Sequence, residues 1–158
     1  RAIAAVLRAS LIAGAAAHLC NVTTAYASER VQFGKPIGRQ QSLQHMLAIM
    51  AEAMIACRIA AQLGTSHGID VPMAVAATAK ITTSVAAPRI AASAHAVHGA
   101  IGISEEYDLQ LLTRRLHEWR MADGSEGYWS QALGTARLEG TEGSADWVRQ
   151  SVFAGSNV

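Results

Sequence analysis

The sequence predicts an all-α protein, an up-and-down four-helix bundle with extra short C-terminal helices. Of the 158 residues, 51% are hydrophobic, mostly alanine, and only 5% are aromatic. Alanine is the strongest helix former, and its small side chain lets helices approach closely. Apolar residues recur at helical spacing through long segments, whereas no run of alternating β-branched residues indicates a sheet. The connections between these segments are short, which is typical of antiparallel helices in one domain.

The first two helices are predicted over residues 2–28 and from Gln41 to the His67–Gly68 pair. In the first helix we expect Gly14 to be a point of close contact with a neighbouring helix. It belongs to an apolar stripe formed by Ile3, Val6, Leu7 and Leu11. The second helix is amphipathic, with a stripe formed by Leu43, Met46, Leu47, Met50 and Met54.

The third helix is predicted over residues 72–98, with Asp70 as its N-cap and a kink at Pro88. Shorter helices are predicted over residues 106–120 and 125–138. We therefore expect a helical bundle at residues 1–140 and a tail at residues 141–158 with room for one short helix.

Charge and composition exclude several function classes. The formal net charge of +1 gives no pull toward nucleic acid or an anionic membrane. The longest stretch without a formal charge, residues 9–28, is too polar to span a membrane, so no membrane insertion is expected. The histidines have no acidic partners at metal-ligand spacing, and we expect no metal site.

The cysteines and the first residue bear on the location of the protein. Cys20 and Cys57 lie in apolar helical contexts, where buried free thiols are common, and nothing in their spacing indicates an oxidising compartment. Residue 1 is Arg, so we expect a cut inside a longer protein without a signal peptide. A cytoplasmic location is the expectation.

Three loops combine glycine with polar or charged residues, at 29–41, 98–107 and 121–130. A glycine loop that opens a helix exposes backbone N–H groups, and these groups bind anions. Arg30 adds a guanidinium fork suited to a phosphate. Plain helix connections use glycine as well, so the loops by themselves also fit a solvated connection.

Three segments in order resemble the C-terminal helical domain of the acyl-CoA dehydrogenases. The resemblance covers roughly residues 6–138. The segments are ERVQFGKPI at 29–37 with LAIM at 47–50, HGAIG at 98–102, and RRLHEWRMADGS at 114–125, where the family usually ends in EGT.

The resemblance implies an FAD-dependent enzyme that oxidises the Cα–Cβ bond of an acyl-CoA thioester. In this family a carboxylate removes the α-proton, a hydride leaves the β-carbon for the flavin, and electrons pass to an electron-transfer flavoprotein. The helical bundle is the last of three domains and builds the contacts of a homo- or heterotetramer. The chain by itself is therefore expected to be inactive.

The resemblance also implies cofactor contacts from each segment, with Arg30 on the FAD pyrophosphate. FAD bound mainly by a neighbouring subunit is expected to contact Arg30, Val31, Gln32, Phe33, Gln40, Gln41, Ala96, Val97, His98, Gly99 and Ala100. The subunit's own FAD is expected to meet Gly124, Ser125, Glu126 and Gly127.

Departures from the family pattern leave the catalytic role open. The position of the base holds Asp123 instead of glutamate, one methylene shorter. Glu126 is the second candidate, because the first-helix position used by some members falls near Ala5, where there is no acid. Ala96 replaces a frequent glutamine. The alternatives are a non-catalytic partner subunit of a heteromeric enzyme, as in the sterol-degradation branch that the sequence resembles, or a free-standing helical oligomerisation module.

Overall fold

The computed structural model describes residues 1–154 and consists almost entirely of α-helices. In chain order these are α1 (Ala2–Glu29), α2 (Gln41–Thr65), α3 (Met73–His98), α4 (Leu109–Met121), α5 (Glu126–Glu139) and α6 (Ser144–Ser151). The central helix is α3, which contacts α1, α2, α4 and α5. The predicted all-α bundle with short C-terminal helices is confirmed.

Small residues bring α1 and α3 together. Ala5 and Ala9 of α1 are completely buried in one cluster with Ala76 and Ala77 of α3. Alanine loses no side-chain entropy on burial, so close backbone packing is achieved at little entropic cost. Larger side chains fill the main core between α1, α2, α3 and α4; they include Ile12, Leu19, Met50, Ile90 and Leu116.

The apolar stripe predicted for α1 mostly faces outward. Its exposed members are Ile3 (45%), Leu7 (59%) and Leu11 (48%). Gly14 is exposed, and a β-carbon added there would have no neighbour within 4 Å, so the predicted close contact is wrong. The close contact belongs to Gly64 of α2, where a β-carbon would lie 2.9 Å from both methyl groups of Val6.

A short antiparallel ladder joins α1 to α2, although the sequence predicted no sheet. Strand β1 (Val31–Gln32) pairs with β2 (Lys35–Pro36), with Gln32 opposite Lys35. Two residues per strand are too few for alternation to be visible in the sequence. A 3₁₀ turn over Ile37–Arg39 leads into α2, and another over Gly99–Ile103 follows α3.

Two helices begin later than predicted. Pro72 occupies the N-cap position of α3 and no side chain caps this end, so the prediction of Asp70 as the cap is wrong. The helix continues through Pro88 without a break. α4 begins at Leu109, because the side-chain oxygen of Ser104 accepts a backbone N–H two residues later and forms a turn there.

The outer faces of α1 and α2 are also apolar. By length and composition both helices could span a membrane, although half of the apolar window of α1 and 28% of that of α2 are buried in the bundle. Ile49 and Ile59 of α2 and Val85 of α3 are exposed. We call these three residues the α2–α3 outer face.

Alanine substitutions at Gly64 and Gly14 should change stability in opposite directions. Gly64→Ala forces a methyl group against Val6 and should lower the free energy of unfolding by about 1–3 kcal/mol. Gly14→Ala fills open space on an exposed helix and should raise it by about 0.5–1 kcal/mol. Urea unfolding followed by far-UV circular dichroism measures both, and a shift of the same sign in the two variants would contradict this packing.

Candidate functional site

Asp123 lies in the connection between α4 and α5, in a backbone conformation that is unusual for its residue type. Its φ is 59°, and that of Gly124 is 103°. A non-glycine residue in the left-handed region needs support from its surroundings. The indole Nε1 of Trp129 supplies such support by donating to the Asp123 carbonyl at 3.1 Å. At Gly124 a β-carbon would lie 2.6 Å from this indole nitrogen, so the turn requires glycine.

The carboxylate of Asp123 is held by an arginine from another helix. Arg8 of α1 donates from Nε to Oδ2 of Asp123 at 2.9 Å. Both side chains are about one-third exposed, at 28% and 31%. The predicted base is therefore oriented by an ion pair across 115 positions of the chain.

Glu126, the second candidate base, is the first residue of α5 and is also paired. Arg120, near the end of α4, donates to Glu126 Oε1 from Nε at 2.9 Å and from Nη2 as well. These hydrogen bonds lower the pKa of the Glu126 carboxyl. The other carboxylate oxygen is buried without a partner among the described residues. The Arg120–Glu126 pair closes the connection between the two helices.

Lys80 of α3 is completely buried beneath this connection. Its ammonium group donates to Ser84 Oγ and to the carbonyl of Arg120, both at 2.8 Å. Burial lowers the pKa of Lys80 to about 8, while the carboxylates of Glu126 and Asp123 oppose the shift. The resulting Asp123 cluster consists of Arg8, Lys80, Arg120, Asp123 and Glu126.

At the other end of α1, the β1–β2 hairpin presents charged and aromatic side chains to solvent. Phe33 and Gly34 form its tip with φ values of 53° and 77°, and Phe33 is 91% exposed. Positive φ at both central residues defines the tight turn that suits a hairpin. Arg30, Lys35 and Arg39 are exposed, and none takes part in an ion pair within residues 1–154.

Residues 96–100 lie beside this hairpin. Val97 packs with Ala27 and Ile37, and both Val97 and His98 are buried. The His98 ring stacks on Tyr26 with centroids 4.3 Å apart, and its Nδ1 donates to the carbonyl of Ala94 at 2.8 Å. Burial lowers the pKa of His98, so the ring is neutral near pH 7. Only Ala96, Gly99 and Ala100 of the predicted segment have exposed side chains or backbone.

The structure thus divides the predicted site residues into two groups. The hairpin, Gln40, Gln41 and residues 96–100 share one end of the bundle, and residues 123–127 lie in the Asp123 cluster at the other. Arg8 and Arg30 are 22 residues apart on one helix and its cap, which corresponds to about 30 Å at 1.5 Å per residue. One chain cannot bring both groups together.

Comparison with known proteins identifies this arrangement. The family model for the C-terminal domain of acyl-CoA dehydrogenases matches residues 3–137. The chain belongs to the acyl-CoA dehydrogenase family. The resemblance of its three loop segments to that family is therefore confirmed.

Individual relatives of this acyl-CoA dehydrogenase domain are larger proteins. The chain is 37% identical over 120 residues to acyl-CoA dehydrogenase IpdE2 of Mycolicibacterium smegmatis. The aligned region covers 72% of this chain and 36% of the relative. The chain is also 35% identical over 101 residues to 3-sulfinopropanoyl-CoA desulfinase of Paraburkholderia xenovorans, covering 63% of this chain and 26% of the relative. The chain thus spans about a third or less of these curated relatives.

A solved structure shows the same fold. The butyryl-CoA dehydrogenase from Megasphaera elsdenii superimposes with a TM-score of 0.80 at 28% identity, over 85% of this chain and 36% of that one. The helical arrangement of this acyl-CoA dehydrogenase domain is therefore the one found in complete enzymes of the family.

Sequence reasoning missed Lys80 and Arg8 of the Asp123 cluster in this acyl-CoA dehydrogenase domain. Lys80 had a detectable signal, because it is the single charged residue between Asp70 and Arg89 in an otherwise apolar helix. Arg8 likewise stands alone between Arg1 and Glu29. A lone charge in an apolar helix indicates a buried partner, but the pattern does not say which partner it is.

The buried ammonium of Lys80 should make stability depend on pH. The native state releases this proton near pH 8, whereas the unfolded chain holds it until about pH 10.5. The unfolded state therefore binds more protons in this window, and the free energy of unfolding should rise by about 1 kcal/mol between pH 7 and pH 9. Urea unfolding at both pH values would measure the rise, and Lys80→Met should lack it. An equal rise in both proteins would assign the effect to another group.

Proposed function

We propose that this chain is the C-terminal helical domain of an FAD-dependent acyl-CoA dehydrogenase that introduces an α,β double bond into an acyl-CoA thioester. In this proposal it contributes to FAD binding and to oligomerisation. The observation that carries the proposal is the hairpin of residues 30–39, where an exposed aromatic ring lies among three exposed cations that form no ion pair within residues 1–154.

The chemistry of this hairpin fits a dinucleotide. Two phosphates suit the guanidinium groups of Arg30 and Arg39, and Phe33 offers an apolar ring to the rest of the cofactor. Gln40 and Gln41 supply amide donors and acceptors nearby. Gly99 and Ala100 add backbone without bulky side chains. When bound, FAD supplies an acceptor for the hydride that leaves the β-carbon of the thioester.

The separation of the two groups supports a shared cofactor site between subunits. The hairpin serves FAD held mainly by a neighbouring copy or partner, while Gly124 to Gly127 face the subunit's own FAD. Ser125 caps α5 by accepting the Tyr128 backbone N–H at 3.4 Å. The α2–α3 outer face supplies apolar area for a homo- or heterotetramer.

Asp123 is the group that takes the α-proton in this proposal. Its carboxylate reaches the surface of the bundle with its direction fixed by Arg8 and its backbone fixed by Trp129. The α-proton moves to Asp123. Because the α-proton of a thioester is only weakly acidic, the base must lie close to it. The proposal also includes an acyl-CoA substrate and an electron-transfer flavoprotein that accepts the electrons. It places the protein in the cytoplasm.

A non-catalytic partner subunit is the second candidate, and the ion pairs favour it. Both carboxylates near the expected position of the base are already engaged, Asp123 by Arg8 and Glu126 by Arg120. Family membership also does not fix the reaction, since one relative is named a desulfinase. In this case the hairpin would complete the flavin site of a catalytic partner.

Substitution of Asp123 separates these candidates. In the protein as its gene encodes it, co-expressed with any neighbouring homologue, acyl-CoA thioesters including steroid-derived ones should bleach the flavin. Asp123→Asn should slow the bleaching by about 10²–10⁴-fold, the usual contribution of a general base. Stopped-flow absorbance measures the rate, with Glu126→Gln as the matched control.

The other outcomes are equally informative. Bleaching at the wild-type rate in both Asp123→Asn and Glu126→Gln would place the base on the partner and favour the second candidate. Loss of bleaching in Glu126→Gln but not in Asp123→Asn would move the base to Glu126. The absence of bound flavin from every preparation would contradict both candidates and leave a helical oligomerisation module.

Arg30→Met tests the cofactor role of the hairpin. Loss of a charge-assisted hydrogen bond to phosphate costs about 1.5–3 kcal/mol, so FAD should bind roughly 10–100-fold more weakly. Titration of the apoprotein with FAD, followed by flavin fluorescence, measures the affinity. Arg58→Met is the control, because Arg58 is exposed on α2 and has no ion pair within residues 1–154. Equal weakening in both variants would remove the hairpin from the cofactor site.

A further inference from the structure

We propose that Lys80 is a positioning residue for the connection that carries Asp123, acting through the carbonyl oxygen of Arg120. The inference rests on the proposed function for its catalytic consequence, but its structural part can be tested without any activity. Lys80 donates its hydrogen bonds to Ser84 Oγ and to the Arg120 carbonyl, and its completely buried side chain is closed to substrate.

The acceptor of the Lys80 hydrogen bond lies at the end of α4. Arg120 is the next-to-last residue of α4, and Asp123 follows three positions later. Carbonyls in the last turn of a helix have no partner within the helix. The Arg120 carbonyl accepts from Lys80 Nζ at 2.8 Å and from Ser84 Oγ at 3.4 Å. The end of α4 is thereby fixed to the middle of α3.

Hydrogen bonds also hold the short segment between the Arg120 carbonyl and Asp123. The Ala122 backbone N–H still donates to the Glu118 carbonyl at 3.2 Å, so the turn follows directly from the helix. The side chain of Arg120 binds Glu126 on the far side of the connection. A shift of the Arg120 backbone therefore moves both ends of the connection, and Asp123 with them.

The burial of the Lys80 ammonium group costs free energy. An ammonium group in a fully buried site loses its hydration, which is expensive unless hydrogen bonds and opposite charges compensate for the loss. The groups that face Lys80 are Arg8 from α1, Arg120 from α4, Asp123 from the connection and Glu126 from α5. A leucine or methionine could fill the same space without this cost. The feature that only the lysine provides is the strong donor to the Arg120 carbonyl.

The indole N–H of Trp129 offers a direct readout of the position of Asp123, since it donates to the Asp123 carbonyl. Its ¹⁵N–¹H resonance, assigned with Trp129→Phe, should shift in Lys80→Met in the protein as its gene encodes it. Thr83→Val is the matched control: Thr83 is buried on the same helix and bonds only to carbonyls of α3, so its loss should leave the resonance in place.

Catalysis supplies the second readout. If Asp123 is the base, Lys80→Met should slow flavin reduction about 100-fold, because a displacement of about 1 Å has that effect on a reacting group. The concentration of acyl-CoA at half-maximal rate should stay the same, since Lys80 does not contact substrate. Thr83→Val should lose stability without this loss of rate.

Wild-type protein provides a test that needs no variant. Since the pKa of Lys80 is about 8, the Trp129 resonance should move with a midpoint near that pH as the charged donor becomes neutral. Lys80→Arg keeps the charge and the donor, so it should retain more activity than Lys80→Met. Its Trp129 resonance should no longer show a midpoint near pH 8, because arginine stays protonated there.

The outcomes divide cleanly. A Trp129 resonance that is unchanged in Lys80→Met would overturn the positioning role whatever the activity. Equal slowing in Lys80→Met and Thr83→Val would also overturn it, by assigning the effect to general stability. A shifted resonance in a protein that never binds flavin would support the positioning role and contradict the proposed function.

Discussion

The contact between the alanine faces of α1 and α3 is the constraint on which the rest of the structure depends. Ala5 and Ala9 against Ala76 and Ala77 hold the two backbones close, so large side chains have no room between them. Ile3, Leu7 and Leu11 of α1 are directed outward, and α2 approaches through Gly64. The same close approach brings Arg8 within reach of the α4–α5 connection.

The Asp123 cluster follows from this geometry and connects stability with the site. Three cations and two carboxylates meet where four helices converge, and each pair joins a different combination of elements. Lys80 reaches α4 from α3, Arg8 reaches the connection from α1, and Arg120 spans to α5. A change in the packing of one of these helices is therefore expected to reach the Asp123 carboxylate.

The fold could be predicted from the sequence because alanine content and helical spacing are local properties. The helix bounds of α1 and α2 agree to within one or two residues with the observed ones, and the three loop segments identified the family. The stripe predicted for the first half of α1 was mostly wrong, because Ala5 and Ala9 face the core there while Ile3, Leu7 and Leu11 are exposed. The pairing of Arg8 with Asp123 joins positions 115 residues apart. No local pattern carries such information.

The burial of Lys80 has a chemical consequence for the proposed reaction with acyl-CoA thioesters. The chain contains two lysines, Lys35 and Lys80, and only Lys35 reaches the solvent. A free amine attacks a thioester and is acylated, whereas an ammonium sealed inside a bundle does not. The surface relies on arginine for positive charge, and arginine remains protonated and unreactive. A reactive thioester therefore finds a single exposed lysine, Lys35, to acylate. This arrangement should limit acylation of the domain by its proposed substrate.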